Sequence, residues 1–293
     1  MEATRLLATI KFSIYAILIL AVLQPNVAIS SEEAKQAKLK ETFVHVLEFE
    51  ENGEPEKIIA LLQPLAEDYP NDAYIPFWLF DSYTALGHFA QTEQWLAKAI
   101  ERTEKLDDSM WALFYLLSGN AEALYAVLED YRSRETDDSA GVYTQLGITA
   151  SASGKYEAAK YFFDKSKALT DEPFLNLHYA HALRELGHKQ QAAMIIQQRE
   201  KEMRKLLAEK AEDQHANFVM AELSALAGDG ESAAAYLHKA IGVRQPYFVY
   251  WSISDASLGD RLWEQVRQHS DIQAFLSKKH QQMLSSRASL NIE

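Results

Sequence analysis

The sequence contains no cysteine. That absence excludes disulfide bridges, thiolate metal sites, a cysteine nucleophile and a lipid-modified cysteine at an exported N-terminus. Glycine and proline are scarce, at 11 and 7 in 293 residues, which argues against a turn-rich all-β architecture and favours long helices. Positive charge is also in short supply: 29 Lys and Arg stand against 42 Asp and Glu, for a formal net charge of −13. A field of that sign opposes the phosphate neutralisation on which nucleic-acid affinity rests, so no nucleic acid is expected as partner. Apolar residues are not lacking. At 48% hydrophobic and 11% aromatic the chain has enough to fill a core, which excludes disorder as its general state.

The N-terminus carries a separate signal. Arg5 and Lys11 precede an uncharged apolar run, Phe12 to Leu23, followed by Gln24, Pro25, Asn26 and the small-residue pattern Ala28-Ile29-Ser30. This is the layout of a secretory signal peptide over residues 1–30, with cleavage after Ser30. The alternative is an uncleaved inner-membrane anchor over residues 12–31, although the strongly apolar part is shorter than the ~20 residues a spanning helix needs. Either way the rest of the chain faces the exported side, the periplasm in a bacterium, with no transmembrane span once the signal is removed.

Beyond the leader, the chain repeats itself. Gly53, Gly87, Gly119, Gly154, Gly187 and Gly228 are separated, by subtraction, by 34, 32, 35, 33 and 41 residues. Five residues after each stands a small or aliphatic residue: Ile58, Thr92, Leu124, Ala159, Ala192 and Ala233. Nine residues after stand Leu62, Leu96, Leu128, Phe163, Ile196 and Leu237. Four residues before stand Phe49, Tyr83, Tyr115, Ala150, Leu183 and Ser224, with further apolar residues another turn upstream. Offsets of three and four describe one apolar stripe on a helix, so each glycine is expected where a first helix ends and a second begins. The step of 41 implies that the second helix of the fifth unit, from Gln190 to about Glu212, is longer by roughly two turns. It either projects into solvent or offers a contact surface.

These residues resemble the tetratricopeptide repeat family. Tyr143, Leu146, Gly147, Gly154, Tyr156, Ala159 and Phe163 follow its pattern closely, and Leu79, Tyr83, Gly87, Phe89, Leu96 and Ala99 nearly as well. The unit around Gly119 is degenerate, with Leu124 in the place of the small residue. The resemblance covers about two thirds of the chain. It implies an all-α fold: a right-handed α-solenoid of about six helix-turn-helix repeats over residues 31–242. Capping helices are expected over residues 243–293, where Leu258, Leu262, Trp263 and Val266 have helical spacing and Ser270 is a candidate helix cap. It also implies that first helices line a concave groove and that the protein acts as an exported scaffold for a protein or peptide segment. An accessory subunit, an enzyme with its active site in the groove, and a carrier of an apolar ligand remain alternatives.

The groove residues expected on this basis are Phe43, Tyr74, Phe77, Trp78, Asp81, Phe174, His178, His181, Arg184, Phe218 and Glu222, with Phe77 and Trp78 as aromatic anchors. The basic clamp by which some family members hold C-terminal carboxylates is missing, since Phe43, Leu47 and Asp81 stand at its positions. Catalytic signatures do not accumulate. Tyr156 and Lys160 have the spacing of a short-chain dehydrogenase pair, but no glycine-rich strand-to-helix turn precedes them. Neither a Gly-x-Ser-x-Gly nor a His-Glu-x-x-His motif occurs. The chain is therefore expected to bind rather than catalyse, with no cofactor. His178, His181 and Glu222 could together hold a zinc ion, but a solvated polar face with a His181–Glu185 pair is the simpler expectation, and no metal is assigned.

Overall fold

Each of the six glycines closes a helix in the same way. Gly87 has φ 69°, its amide donates to the Thr84 carbonyl at 2.9 Å, and the next amide, of His88, donates back to the Tyr83 carbonyl at 3.0 Å. This double bond is the Schellman closure, which satisfies carbonyls orphaned at a helix end and demands the left-handed backbone that glycine adopts without strain. It recurs at Gly154, where Lys155 donates to Ala150 at 2.8 Å, and at the other four glycines. The recurrent residue four before each glycine is thus the one whose carbonyl accepts the closing bond.

The computed structural model describes residues 31–102, 109–134, 139–170, 174–240, 246–254 and 258–291. Among them there is no strand, and the fold is an all-α helical repeat. The hairpins are α1 (Ser31–Asn52) with α2 (Pro55–Leu62) and the short α3 (Leu65–Asp68), α4 (Tyr74–Ala85) with α5 (Phe89–Glu101), and α6 (Ser109–Ser118) with α7 (Ala121–Ser133). They continue as α8 (Ala140–Ala152) with α9 (Tyr156–Ala168), α10 (Leu177–Glu185) with α11 (Lys189–Glu209), and α12 (Gln214–Leu226) with α13 (Gly230–Ala240). Then follow α14 (Pro246–Ile253), a 3₁₀ turn at Arg261–Trp263 and α15 (Ser270–Ser289). The expected leader, residues 1–30, lies outside the described residues. No helix among them is long and apolar enough to cross a membrane.

Hairpin packing follows the repeat pattern. All six residues at the fifth position after the glycine are buried, Leu124 of the degenerate unit included. Gly147 serves the same closeness from the other side, because a Cβ there would meet the Phe163 ring at 2.7 Å. At the ninth position five of the six are fully buried, while Ile196 on α11 is only half-buried. That helix has 21 residues against 13 in each of its counterparts α5, α7 and α9 and 11 in α13. Its extra turns do not project freely. Met203 is 1% exposed, and the buried Arg199, paired with Glu202 of its own helix at 3.5 Å, lies 3.2 Å from the His215 ring nitrogen of α12 and so ties α11 to α12.

The C-terminal fifty residues do more than cap the last hairpin. Helix α15 packs against α13 of the sixth hairpin and also against α2 of the first, so the two ends of the array are bridged. One apolar core accordingly joins Leu39 to Leu117 with Leu177 to Met283, while a second holds the middle hairpins. The expected helix over Leu258 to Val266 is instead a strap with one 3₁₀ turn. Gly259 turns the chain at φ 66°, and the Asp260 side chain accepts from the Leu262 amide at 2.9 Å, a local bond that competes with α-helix. The cap of α15 is His269, whose Nδ1 accepts from the Asp271 amide, one residue before the expected Ser270.

Candidate functional site

The surface formed by the first helices α4, α6, α8, α10 and α12 is the groove in which binding is expected, and the strap lies along it. Trp251 Nε1 donates to the Ala85 carbonyl at the end of α4 at 3.4 Å. The Leu258 amide donates to the Leu116 carbonyl at the end of α6 at 3.2 Å. The 3₁₀ turn packs on α8 and α12, and Trp263 stands 6.4 Å from the Phe218 ring. Trp251 of α14 thus meets the second hairpin, and the strap meets the third to sixth. Leu262, Trp263 and Val266 are each no more than 2% exposed, and each such burial stabilises by ~1.5–3 kcal/mol.

At the centre of this contact His178 Nε2 donates to Asp260 Oδ2 at 2.8 Å. His178 sits in the first turn of α10, which Asn176 caps by accepting from the Tyr179 amide, and the His178 carbonyl is held by the Ser151 hydroxyl of α8 at 3.0 Å. Asp260 is equally constrained. Its amide donates to Ser252 at 2.7 Å, its carbonyl accepts from Arg267 at 3.0 Å, and its second carboxylate oxygen accepts from Leu262. Both side chains are about nine-tenths buried, and a buried charge persists only when paired and hydrogen-bonded. Burial opposes charge on His178, but the attraction and hydrogen bond of Asp260, helped by Glu222, outweigh it and raise its pKa. Burial likewise opposes ionisation of Asp260, yet His178 and the Leu262 amide hold its carboxyl below the ordinary value.

Two more titratable groups face the pair. Glu222 of α12, partly covered, is pushed up to about 7 by desolvation, and the charge of Asp260 adds to the rise. His181 is 4% exposed, packs edge-on to Tyr156 at 5.3 Å, and has a buried Nδ1 with no hydrogen-bond partner among the described residues. Burial, and then the neighbouring His178 charge, lower its pKa to about 4. Its Nε2 stands 3.8 Å from Glu185 Oε1, the pair expected from the sequence, although the ring itself is buried.

The residues expected to line the groove divide into three groups. Phe43 and Trp78 are core residues at 8% and 3% exposure, a correction to their assignment as groove positions. Helix α4 is apolar nearly all round, with Ile75, Pro76, Trp78, Leu79 and Phe80 all buried, so its stripe does not reveal which side is free. Tyr74 remains exposed at 38% and pairs edge-on with Phe43, while Phe77 and Asp81 are half-buried. Phe174 is half-buried between hairpins, against Phe163 and Tyr179 at 5.8 and 5.7 Å. The remaining five lie on α10 and α12. His178 and His181 are buried rather than solvated, Arg184 donates to the Leu226 carbonyl at 2.7 Å, and Phe218 and Glu222 face the strap from α12.

No family model matches the chain, and no curated protein or solved structure matches it. The chemistry must be read from the geometry. Lys160 pairs with Asp164 at 2.6 Å, and Tyr156 packs on His181, so the two do not converge as a catalytic pair. Among the described residues no group of three or more His, Asp or Glu is placed to hold a metal ion, and His178 Nε2 is engaged by Asp260. What sequence reasoning missed is Asp260 and Trp251, while Trp263 was expected only as part of a capping helix. The available signal was the run Gly259-Asp260, a turn pair that breaks the apparent helical spacing around it.

Proposed function

We propose that the protein is an exported scaffold of the tetratricopeptide type, whose first helices form a surface for a protein segment and whose residues 1–30 are the export leader. The observation that carries this reading is the strap itself. The strap, a run of tight turns, lies on the first helices α6, α8, α10 and α12 with its apolar side chains buried, its Leu258 amide bonded to α6 and its carboxylate bonded to His178 of α10. A partner segment docked in the same way would be recognised by apolar pockets for its side chains and a few polar partners that fix its register. The same occupancy favours a peptide over an acyl chain, because the strap combines buried rings with a buried carboxylate. Residues that face the strap or border it, such as Phe218 and Glu222, would then belong to the binding surface, as would exposed Tyr74 at its N-terminal end.

A second surface has independent support. Met194 is 65% exposed on α11 and, with Leu175, Ile195, Gln198 and Lys201, lines a shallow open depression on the outer side of the fifth hairpin. A photo-crosslinking residue placed in turn at Tyr74, Phe218 and Met194 of the full-length exported protein separates the two surfaces. Protein adducts from Tyr74 or Phe218, reduced by unlabelled partner, are the expected result. Adducts from Met194 alone would move the interface to the outer side, and no adducts at any position would count against a scaffold. N-terminal analysis of the same material should begin at Ser31.

A further inference from the structure

We propose that residues 258–266 are a built-in substitute for the partner. On this view the segment that docks in the groove carries the same chemistry, a carboxylate followed two and three residues later by an aliphatic and an aromatic side chain. The inference deepens the scaffold reading and rests on it. Its basis is how specifically the groove reads the strap. His178 donates to the Asp260 carboxylate, and the two residues after Arg261, Leu262 and Trp263, fill the space beside Phe218 at 1% exposure each. The Leu116 carbonyl fixes the strap backbone two residues before Asp260.

The array is also cut back beside the strap's C-terminal flank, since a Cβ at Gly230 would meet the His269 ring at 2.4 Å. The His178 ring meanwhile lies deep in the fold, and its Nε2 is 2.8 Å from the Asp260 carboxylate of the strap. An occupant with an apolar residue at that place would leave a buried ring nitrogen without its partner, and one with an amide would replace a charge-assisted bond by a weaker neutral one. The groove is therefore selective for an acid at one position and for bulk two and three residues on.

Because the strap is tethered, it competes at an effective concentration in the millimolar range, and a free segment of equal quality binds only weakly to the native chain. Weakening the strap without touching the groove should expose the site. The probe is a fluorescent synthetic peptide with the sequence of residues 258–268, tested by anisotropy against the full-length protein and against the full-length Asp260→Asn/Leu262→Ala variant. The variant is expected to bind the peptide at least about ten-fold more tightly than the native protein. A peptide with Asn at the Asp260 position should bind it at least about ten-fold more weakly, the usual loss for one buried charged partner.

A folded variant, by circular dichroism, that fails to bind the peptide overturns the proposal, as does equal binding of the Asn peptide. Should the variant not fold, hydrogen exchange on the unaltered protein decides. The strap amides of Leu258, Asp260 and Leu262 are expected to exchange faster than those of α8 and α9. Exchange in one cooperative unit with those helices would make the strap a permanent part of the core and overturn its role as a substitute. In that event crosslinks from Tyr74 would still leave the scaffold reading standing.

Discussion

His178 and Asp260 are 82 residues apart in the chain and 2.8 Å apart in the structure, and their bond fastens the C-terminal strap to the fifth hairpin. A charge pair this deep is not by itself a source of net stability, because desolvating both ions offsets most of their attraction. Its consequence is asymmetric. Each partner becomes costly to remove alone, and the strap is held in one register.

The first prediction follows from that asymmetry. His178→Ala and Asp260→Ala should each lower unfolding free energy by ~3–5 kcal/mol, since either leaves an uncompensated buried charge. The double variant should cost clearly less than the two added together. Urea unfolding of the four proteins measures the coupling, and simple additivity would show that the two side chains are not partners in solution.

The pH dependence can be given a sign. The raised pKa of His178 contributes stability that is present in full below its ordinary value of 6.5 and is lost as pH rises through its folded value. Glu222, raised from 4.5 to about 7, acts in the same direction, losing its contribution as pH rises through about 7. His181, lowered to about 4, and Asp260, lowered from 3.8, act oppositely and lose theirs on acidification. Stability should therefore decline from pH 6 to pH 8. The urea midpoint of Glu222→Gln, measured at both pH values, should decline less than that of the native protein; an equal decline would remove Glu222 from the account.

Burial separates two neighbours that the sequence had paired as anchors. Trp78→Ala should cost ~3–5 kcal/mol, as for other fully buried aromatic residues, whereas Phe77→Ala should cost noticeably less because Phe77 is half-exposed. Thermal melts of the two single variants test this. Similar melting temperatures would place Trp78 at the surface after all.

Two of the ladder glycines should respond differently to the same change. At Gly187, with φ 85° and open space where a Cβ would go, alanine should cost only the left-handed strain, ~1–2 kcal/mol. At Gly87 alanine adds a collision with Trp251 at 2.3 Å, so α14 must move. The expected signature is a larger loss of stability together with a change in tryptophan fluorescence at Gly87 only. Equal losses with unchanged fluorescence would mean that Trp251 does not sit over that turn.

What the sequence by itself determined is everything set by interactions a few residues long. The helix ends could be read because the closing bond runs from the residue after the glycine to the residue four before it, and only glycine takes that turn without strain, as at Gly154. Hairpin contacts could be read because close approach needs small residues at fixed intervals, as Ala159 and Ala233 show at 0% exposure. Even the long α11 was legible, from an uninterrupted stretch without glycine or proline. The tertiary structure alone decided the rest. Whether Trp78 points inward depends on how many neighbours surround α4, and a helix apolar on every side carries no mark of it. The path of the strap depends on contacts such as Trp251 with Ala85, 166 residues apart, and Asp260 with His178. Such contacts leave no period in the sequence, because they are selected by shape and charge across the folded surface. Leu258, Leu262 and Val266 keep a helical spacing there even though the chain, turned at Gly259 and capped by Asp260, is not an α-helix.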